Sequence, residues 1–203
     1  MTQRFDDLRK VPDQPAVRLL ALANAKLMAT LGTPASASVS EVMTALDAQG
    51  AYVDMLRLMS VALPPRERTW WACLAARDLI GPVDKLPRPL ELSEDWVRKP
   101  SDATRAAARD AIDLADMDDD TVLCATSVIF CDDTLGPGDL AQYAAPPGAA
   151  SAAVFAMNVT ALDLGDDVAQ TAAVLIDRAL DIARGGNGQL PLPVATQAEE
   201  TAP

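Results

Sequence analysis

The sequence predicts an all-α protein, a compact bundle or a stack of helix pairs with seven to nine helices. Apolar residues recur with the helical period along most of the chain, and no two strands joined by a hairpin signal are recognisable. Hydrophobic residues make up 50% of the 203 residues and aromatic residues only 4%. The core therefore consists largely of Ala, Leu, Val and Met, which suit closely packed helices better than sheets.

Two helices are predicted in the N-terminal quarter of the chain. Pro15 suits a first helical position, and a broad apolar face follows it to about Leu31. After a short break, Ser38 and Glu41 have the spacing of a capping box, which opens a second helix. Gly50 is the predicted C-terminal stop of that helix.

The next two helices are separated by a pair of prolines. A third helix is predicted over about 51–62, and the pair 64–65 ends it and begins the fourth, which stops at Gly81. The proline-rich stretch 82–91 is the best internal boundary in the chain. We predict a linker there.

Two capping serines mark the following helices. Ser93, with two acids behind it, is predicted to open a short helix that contains Trp96 and ends at Pro100. Ser101 is predicted to cap the next helix, over about 102–115.

The last three helices differ in how clearly the sequence indicates them. Residues 122–130 are rich in β-branched side chains and suit a strand or a helix, but the acids at Asp118 and Asp119 favour a helix. Two further helices are predicted over about 149–162 and 166–184.

These elements predict one helical domain over 13–186, with the linker at 82–91 inside it. Residues 1–12 are expected to be disordered or loosely docked, and 187–203 to form a disordered tail. Between two of the helices, 132–148 contains several prolines and glycines and is predicted to be a long loop.

Charge and composition narrow the possible partners. The formal net charge is −12 and the pI is about 4.3, which argues against binding nucleic acid and permits a basic protein partner. No run of about 20 apolar residues exists, so no membrane insertion is expected, and the N-terminus has no apolar signal core. Three cysteines without metal-type spacing favour a reducing cytoplasm.

The adjacent tryptophans Trp70 and Trp71 are the most informative pair in the sequence. Adjacent helical residues point about 100° apart, so the two rings cannot fill one pocket. One ring is expected to anchor the core and the other to lie at its edge. Arg77 lies on the same helix face as Trp70 and is expected to form an ion pair at the helix end, with stacking on the indole as the alternative. Trp96 is likewise expected to be structural.

Catalytic and metal-binding motifs are mostly excluded by residue type. The chain has no histidine, which rules out Ser-His-Asp and Cys-His nucleophiles and all histidine ligands. The acids of 116–120 begin like a calcium loop, but Thr121 and Ser127 occupy the positions that need Gly and Glu. Asp132 and Asp133 form the carboxylate pair that we would test for catalysis. No catalytic residue, cofactor site or metal ligand is assigned.

The long loop is the candidate interaction surface. Leu135, Leu140 and Tyr143 are spaced along it and are expected to dock against the body of the protein or against another protein. Together with Asp132 and Asp133, they form a predicted contact for a basic partner.

One segment resembles a known family. The run Trp-Trp-Ala-Cys-Leu-Ala-Ala-Arg at 70–77, preceded by Arg-Glu at 66–67, resembles the signature of an uncharacterised bacterial family, a domain of unknown function. Looser similarity covers about 12–186 and includes 96–98, 136–148 and 180–185. The resemblance implies a helical protein without an assigned activity, so no catalytic residue is carried over. It also implies an association with bacterial secretion genes, including contractile (type VI) systems.

We therefore expect a non-enzymatic cytoplasmic interaction or accessory protein, such as an adaptor or chaperone for a secreted bacterial protein. The alternative is a carboxylate-dependent, hydrolase-like enzyme that uses acids of 131–139. Convergent acids in the deepest pocket would favour the enzyme, and a broad apolar groove would favour the adaptor.

Overall fold

The structure, a computed structural model, describes residues 4–190 and confirms an all-α fold for them. It contains nine α-helices in this range and no β-sheet; a single isolated bridge pairs Thr134 with Ala144. The helices are α1 Ala16–Leu22, α2 Val39–Asp47, α3 Tyr52–Ala62, α4 Pro65–Ile80, α5 Arg88–Arg98, α6 Asp102–Ile112, α7 Val122–Ile129, α8 Ala149–Thr160 and α9 Val168–Arg184. Short 3₁₀ turns lie at Gly138–Gln142 and Ala161–Leu164.

Helix α4 lies at the centre of the packing. It contacts α5, α7, α8 and α9, while α3 packs against α1, α2, α8 and α9. The main hydrophobic core is formed mostly by α1–α4, α8 and α9. A second, smaller cluster lies among α5, α6 and α7, and Trp70 packs against both.

The two adjacent tryptophans occupy different environments. Trp71 is completely buried, and its Nε1 donates to the carbonyl of Leu175 in α9 at 2.9 Å. Trp70 is half-buried and donates to the carbonyl of Asn187 at 2.7 Å. The ring of Trp71 is therefore the core anchor, and the ring of Trp70 joins the two clusters.

Several local signals are confirmed. The capping box of Ser38 and Glu41 is present at the start of α2. Helix α4 begins directly after Pro64 and ends at Gly81, which has a φ of 64° that favours glycine. The ambiguous segment before the long loop is helical over Val122–Ile129.

The first helix is shorter than predicted. It ends at Leu22 instead of near Leu31, and Asn24 takes a left-handed conformation with a φ of 49°. The chain that follows runs past the start of α3, where the buried carboxylate of Asp54 accepts hydrogen bonds from the backbone N–H groups of Met28 and Ala29 at 2.7–3.0 Å. These long-range bonds replace the helical ones that the apolar pattern favoured.

Helix α5 begins five residues earlier than predicted. It starts at Arg88, inside the expected 82–91 linker, with Pro87 before it and Pro89 in its first turn. Proline is favoured there because first-turn N–H groups have no helical acceptor. Ser93 is consequently not a cap; it is buried within the helix, and its hydroxyl donates to the carbonyl of Pro89 at 2.7 Å.

Described residues near both ends contact the body of the protein. Phe5 is buried, and Arg4 forms ion pairs with Asp47 and Asp177 at 2.7 and 2.9 Å. Near the other end, the carbonyl of Leu190 accepts from Arg178 at 2.7 Å. The remaining parts of the predicted termini, 1–3 and 191–203, lie outside the described residues. No helix within 4–190 combines the length and the apolar character needed to cross a bilayer.

The Asp54 anchor gives a first testable prediction. Replacing Asp54 with alanine should lower the free energy of unfolding by about 2 kcal/mol, because two backbone N–H groups lose a charged acceptor that is itself buried. In hydrogen exchange, the amides of Met28 and Ala29 should lose their protection, while the capped start of α2 keeps its own. Asp54→Asn, which keeps one carbonyl acceptor, should have a smaller effect. Unchanged protection of both amides in Asp54→Ala would contradict this role of the carboxylate.

Candidate functional site

An apolar groove lies beside α1. One wall is α1 and the other is the irregular segment 24–37, with Val42 of α2 at its base. The groove has a volume of 640 Å³, and its apolar lining includes Ala16, Val17, Leu20, Leu27 and Leu31. We call this cavity the N-terminal groove. It exists because Asp54 holds the chain after α1 away from a helical path.

The chemistry of the N-terminal groove is that of a binding surface. Among the described residues that line it, Lys26 alone carries a charge. Val17, in the lining, is 53% exposed, and Met28, on the segment that forms the second wall, is 84% exposed. No acid lines the cavity, and Val17 presents an apolar side chain to water beside buried neighbours such as Leu20.

A second cavity adjoins the groove. It has a volume of 310 Å³ and shares Asn24 and Ala25 with the groove, so the two cavities lie on either side of this piece of chain. Its other walls come from α3, which supplies Arg57, and from the start of α8, which supplies Phe155. We call it the Arg57 pocket.

The Arg57 pocket is held closed on one side by a close backbone approach. Gly148, with a φ of 77°, lies against Ala23, and a Cβ atom at this position would come within 2.1 Å of the carbonyl oxygen of Ala23. Only glycine fits there. The C-terminal end of the long loop is thereby fixed against the end of α1.

The guanidinium of Arg57 has an unusual environment. It stacks over the ring of Phe155 at 4.0 Å from the ring centroid. Its buried Nε has no hydrogen-bond partner, and the side chain forms no ion pair with any residue of 4–190. This is a buried donor without an acceptor, which is uncommon in folded proteins.

A third cavity of 310 Å³ lies beside Trp70 and contains charges that are paired with one another. Its charged lining residues are Lys10, Arg66, Glu67, Glu94 and Arg98. Lys10 pairs with Glu67 at 3.0 Å, and the buried Glu94 pairs with Arg98 at 3.2 Å. The cavity is also where the segments that carry the sequence resemblance meet, namely 66–67, 70–77 and 96–98. The cavity is a packing junction of these segments, because its acids already have basic partners.

Arg77 takes part in this junction. Its guanidinium binds the carboxylate of Glu94 with two hydrogen bonds, at 2.5 and 2.7 Å. This hydrogen bonding raises the pKa of Arg77 above its ordinary value. The residue therefore links α4 to α5 through a charge pair.

The acids of the long loop have structural contacts. Asp132 binds the buried guanidinium of Arg105 through both carboxylate oxygens, at 2.6 Å each. Arg105 also donates to the carbonyl of Ile129 and to the hydroxyl of Thr134, at 2.8 and 2.9 Å. Burial raises the pKa of Asp132, but the hydrogen bonds from Thr134 and Arg105 outweigh it, and the pKa lies below its ordinary value. Asp132 is thus an ionised clamp that fixes the loop to α6.

The other predicted loop residues lie nearby but do not form one cluster. Asp133 is exposed and has a left-handed φ of 62°. Leu140 packs near α6, where it lines a shallow cavity with Ala103 and Ala106. Leu135 and Tyr143 are 37% and 54% exposed. The loop therefore presents two apolar side chains to solvent beside its clamped base.

Metal and thiol chemistry have little support in the described part of the chain. No group of three or more acids and cysteines within 4–190 could hold a metal ion. Cys73 is completely buried, and this burial, with the hydrogen bond of its thiol to Cys124, raises the pKa of the thiol well above the ordinary value. A thiol in that environment is a poor nucleophile.

Sequence reasoning identified the loop and the tryptophans but missed the two adjoining cavities. The groove arises where helical periodicity predicted a continuous helix, and nothing local marks Asp54 as the acceptor for residues 25 and 26 positions earlier. Arg57 lies within an otherwise ordinary apolar helix. Its one available signal was a lone arginine between Met55, Leu56, Leu58 and Met59.

Residues 42–183 match the model of a family of unknown function, DUF6931. No curated protein and no solved structure matches the chain. The matched range contains α3 with Asp54 and Arg57, the charged junction beside Trp70, and the long loop. Helix α1 and the segment 24–37 precede it.

Proposed function

We propose that this chain, which belongs to the DUF6931 family of unknown function, is a non-enzymatic interaction protein whose N-terminal groove receives an apolar segment of a partner protein. The observation that carries the proposal is the groove itself, a cavity of 640 Å³ whose described lining is apolar apart from a few polar groups and contains no acid. An exposed apolar patch of this kind is characteristic of protein-binding surfaces.

The rival enzyme hypothesis has weaker support. It requires loop acids that are free to bind substrate or a metal ion, whereas both oxygens of Asp132 are engaged by Arg105. Of the other acids of 131–139, Asp133 lines none of the cavities described above and Asp139 lines the shallow one beside α6, so the two do not converge on one site. The balance of these contacts favours the interaction role.

The sequence resemblance suggests what kind of interaction this is. An adaptor or chaperone for a secreted bacterial protein, acting in a reducing cytoplasm, would need an apolar groove that holds a segment of its client. Except for Val42, the residues that line the groove come before the range that matches the family. We therefore expect the client to be particular to this chain and its near relatives. The exposed Leu135 and Tyr143 of the loop are a proposed second contact.

The test compares two matched surface substitutions. Val17→Arg places a charge in the groove, and Leu114→Arg makes the same kind of change at an 84% exposed position outside it. Partners are recovered from the native organism by pull-down, identified by mass spectrometry and then purified, so that binding is measured between purified proteins. We expect Val17→Arg to weaken binding about tenfold or more, and Leu114→Arg to leave it unchanged, with equal melting temperatures.

Equal binding by both variants would overturn the groove proposal. Replacing 136–146 with a Gly/Ser linker separates the two contacts: loss of binding in that variant, with none in Val17→Arg, would assign the interface to the loop.

A further inference from the structure

The side chain of Arg57 forms no ion pair within the described residues. The chain as a whole has a net charge of −12, yet the described residues that line the Arg57 pocket include no acid. Phe155 covers one face of the guanidinium, which leaves the donors in its plane for another group. The Nε of Arg57 makes no hydrogen bond. The guanidinium therefore loses no hydrogen bond of Nε when it turns to present Nε and a terminal nitrogen to an incoming acceptor.

The start of α8 adds to this positive environment. The backbone N–H groups of Ala150 and Ser151 have no acceptor within 4–190, and no side chain caps the helix. Unpaired first-turn N–H groups carry a partial positive charge. Ser151 lines the same pocket as Arg57.

The Arg57 pocket and the N-terminal groove adjoin each other, separated by the chain at residues 24–25. They share Asn24 and Ala25, and their charged lining residues are Lys26 and Arg57, both cations. A segment that lies in the groove and reaches the pocket therefore meets apolar walls and two positive charges. Its complement is an apolar segment with an acidic residue.

We propose that the Arg57 pocket binds the carboxylate of an acidic residue in the partner segment whose apolar side chains lie in the N-terminal groove. Arginine binds carboxylates through two parallel hydrogen bonds, which fixes the position of the segment as well as its charge. This inference rests on the proposed function; the basic partner expected from the sequence concerned the long loop with Asp132 and Asp133, whereas this surface calls for an acidic residue. The overall charge of the chain is acidic, but the local charge of the groove and pocket is basic.

The test uses two probes that differ in a single group. One is a capped peptide of leucines and alanines with one aspartate, and the other has asparagine in place of the aspartate. Each is titrated into the isotope-labelled full chain and followed by NMR. The methyl signals of Leu20 report the groove, and the Nε–H of Arg57 and the amide of Ser151 report the pocket. We expect both peptides to shift the Leu20 signals, and the aspartate peptide alone to shift the pocket signals and to bind about tenfold more tightly.

Two variants at position 57 serve as controls. Arg57→Gln should bind both peptides with the affinity of the asparagine peptide, and Arg57→Lys should retain part of the preference because it retains the charge. Groove shifts with equal affinities for the two peptides in the unmodified chain would overturn the carboxylate site and leave the groove standing. An absence of groove shifts with either peptide would count against the groove, and therefore against both proposals.

Discussion

Replacing Trp71 with alanine should lower the free energy of unfolding by about 4 kcal/mol, the largest loss expected from a single core substitution in this protein. The indole is completely buried between α4 and α9, and its N–H donates to the carbonyl of Leu175. Alanine would leave a large cavity at the centre of the packing. The melting temperature should fall by roughly 10 °C, measured by circular dichroism.

The neighbouring ring is the matched control. Trp70→Ala removes the same side chain from the next position of the same helix, but this ring is half-buried. Loss of the Trp70 ring should lower the free energy of unfolding clearly less than loss of the Trp71 ring. Equal effects of the two substitutions, or a larger effect at Trp70, would contradict the assignment of Trp71 as the core anchor.

Breaking the clamp between Arg105 and Asp132 should have the second-largest effect. Arg105→Met keeps most of the side-chain volume but removes the donors to Asp132, Ile129 and Thr134. We expect the free energy of unfolding to fall by about 3 kcal/mol, because three groups lose hydrogen bonds from a charged donor and one of them is the buried carbonyl of Ile129. Asp132→Asn should cost less, because the side chain of Asp132 is half exposed and its asparagine substitute keeps one acceptor.

The pH dependence of the clamp follows from the lowered pKa of Asp132. A carboxyl whose pKa is lower in the folded protein stabilises it fully above the unfolded value, about 4, and loses that contribution as the pH falls through the folded value. The difference in melting temperature between the unmodified chain and Asp132→Asn should therefore be constant above about pH 5 and should narrow below about pH 4. A constant difference into strong acid would show that Asp132 is not an ionised partner of Arg105.

Local chemistry explains which helix boundaries were predictable. The capping box at Ser38 and the proline before α4 act through atoms within a few residues, so the sequence pattern suffices to place them. The end of α1 depends instead on Asp54, whose bonds to Met28 and Ala29 span a loop that periodicity does not represent. The start of α5 is set by the prolines at 87 and 89, which lie before and within its first turn. Ser93, which has the sequence pattern of a cap, lies inside the helix instead.

The candidate site was less predictable than the fold for the same reason. The sequence indicates that Asp132 is an unusual loop acid, but its partner Arg105 lies on α6, 27 positions earlier. The sequence does not show which residues surround Arg57. Its importance follows only from the folded structure, in which no acid lines its pocket. Sites formed by distant residues depend on tertiary contacts, which helical periodicity does not encode.

The division of the core into two clusters joined at Trp70 has a consequence for how the molecule opens. Helices α5, α6 and α7 share their own small cluster, while most of the buried surface belongs to the main one. Native proteins open in cooperative units of unequal stability, and a unit with few buried contacts opens first. The three helices and the loop clamped to them can thus exchange as one group while α3, α4, α8 and α9 remain closed. In this hierarchy, the wall that α3 contributes to the Arg57 pocket belongs to the last part of the protein to unfold.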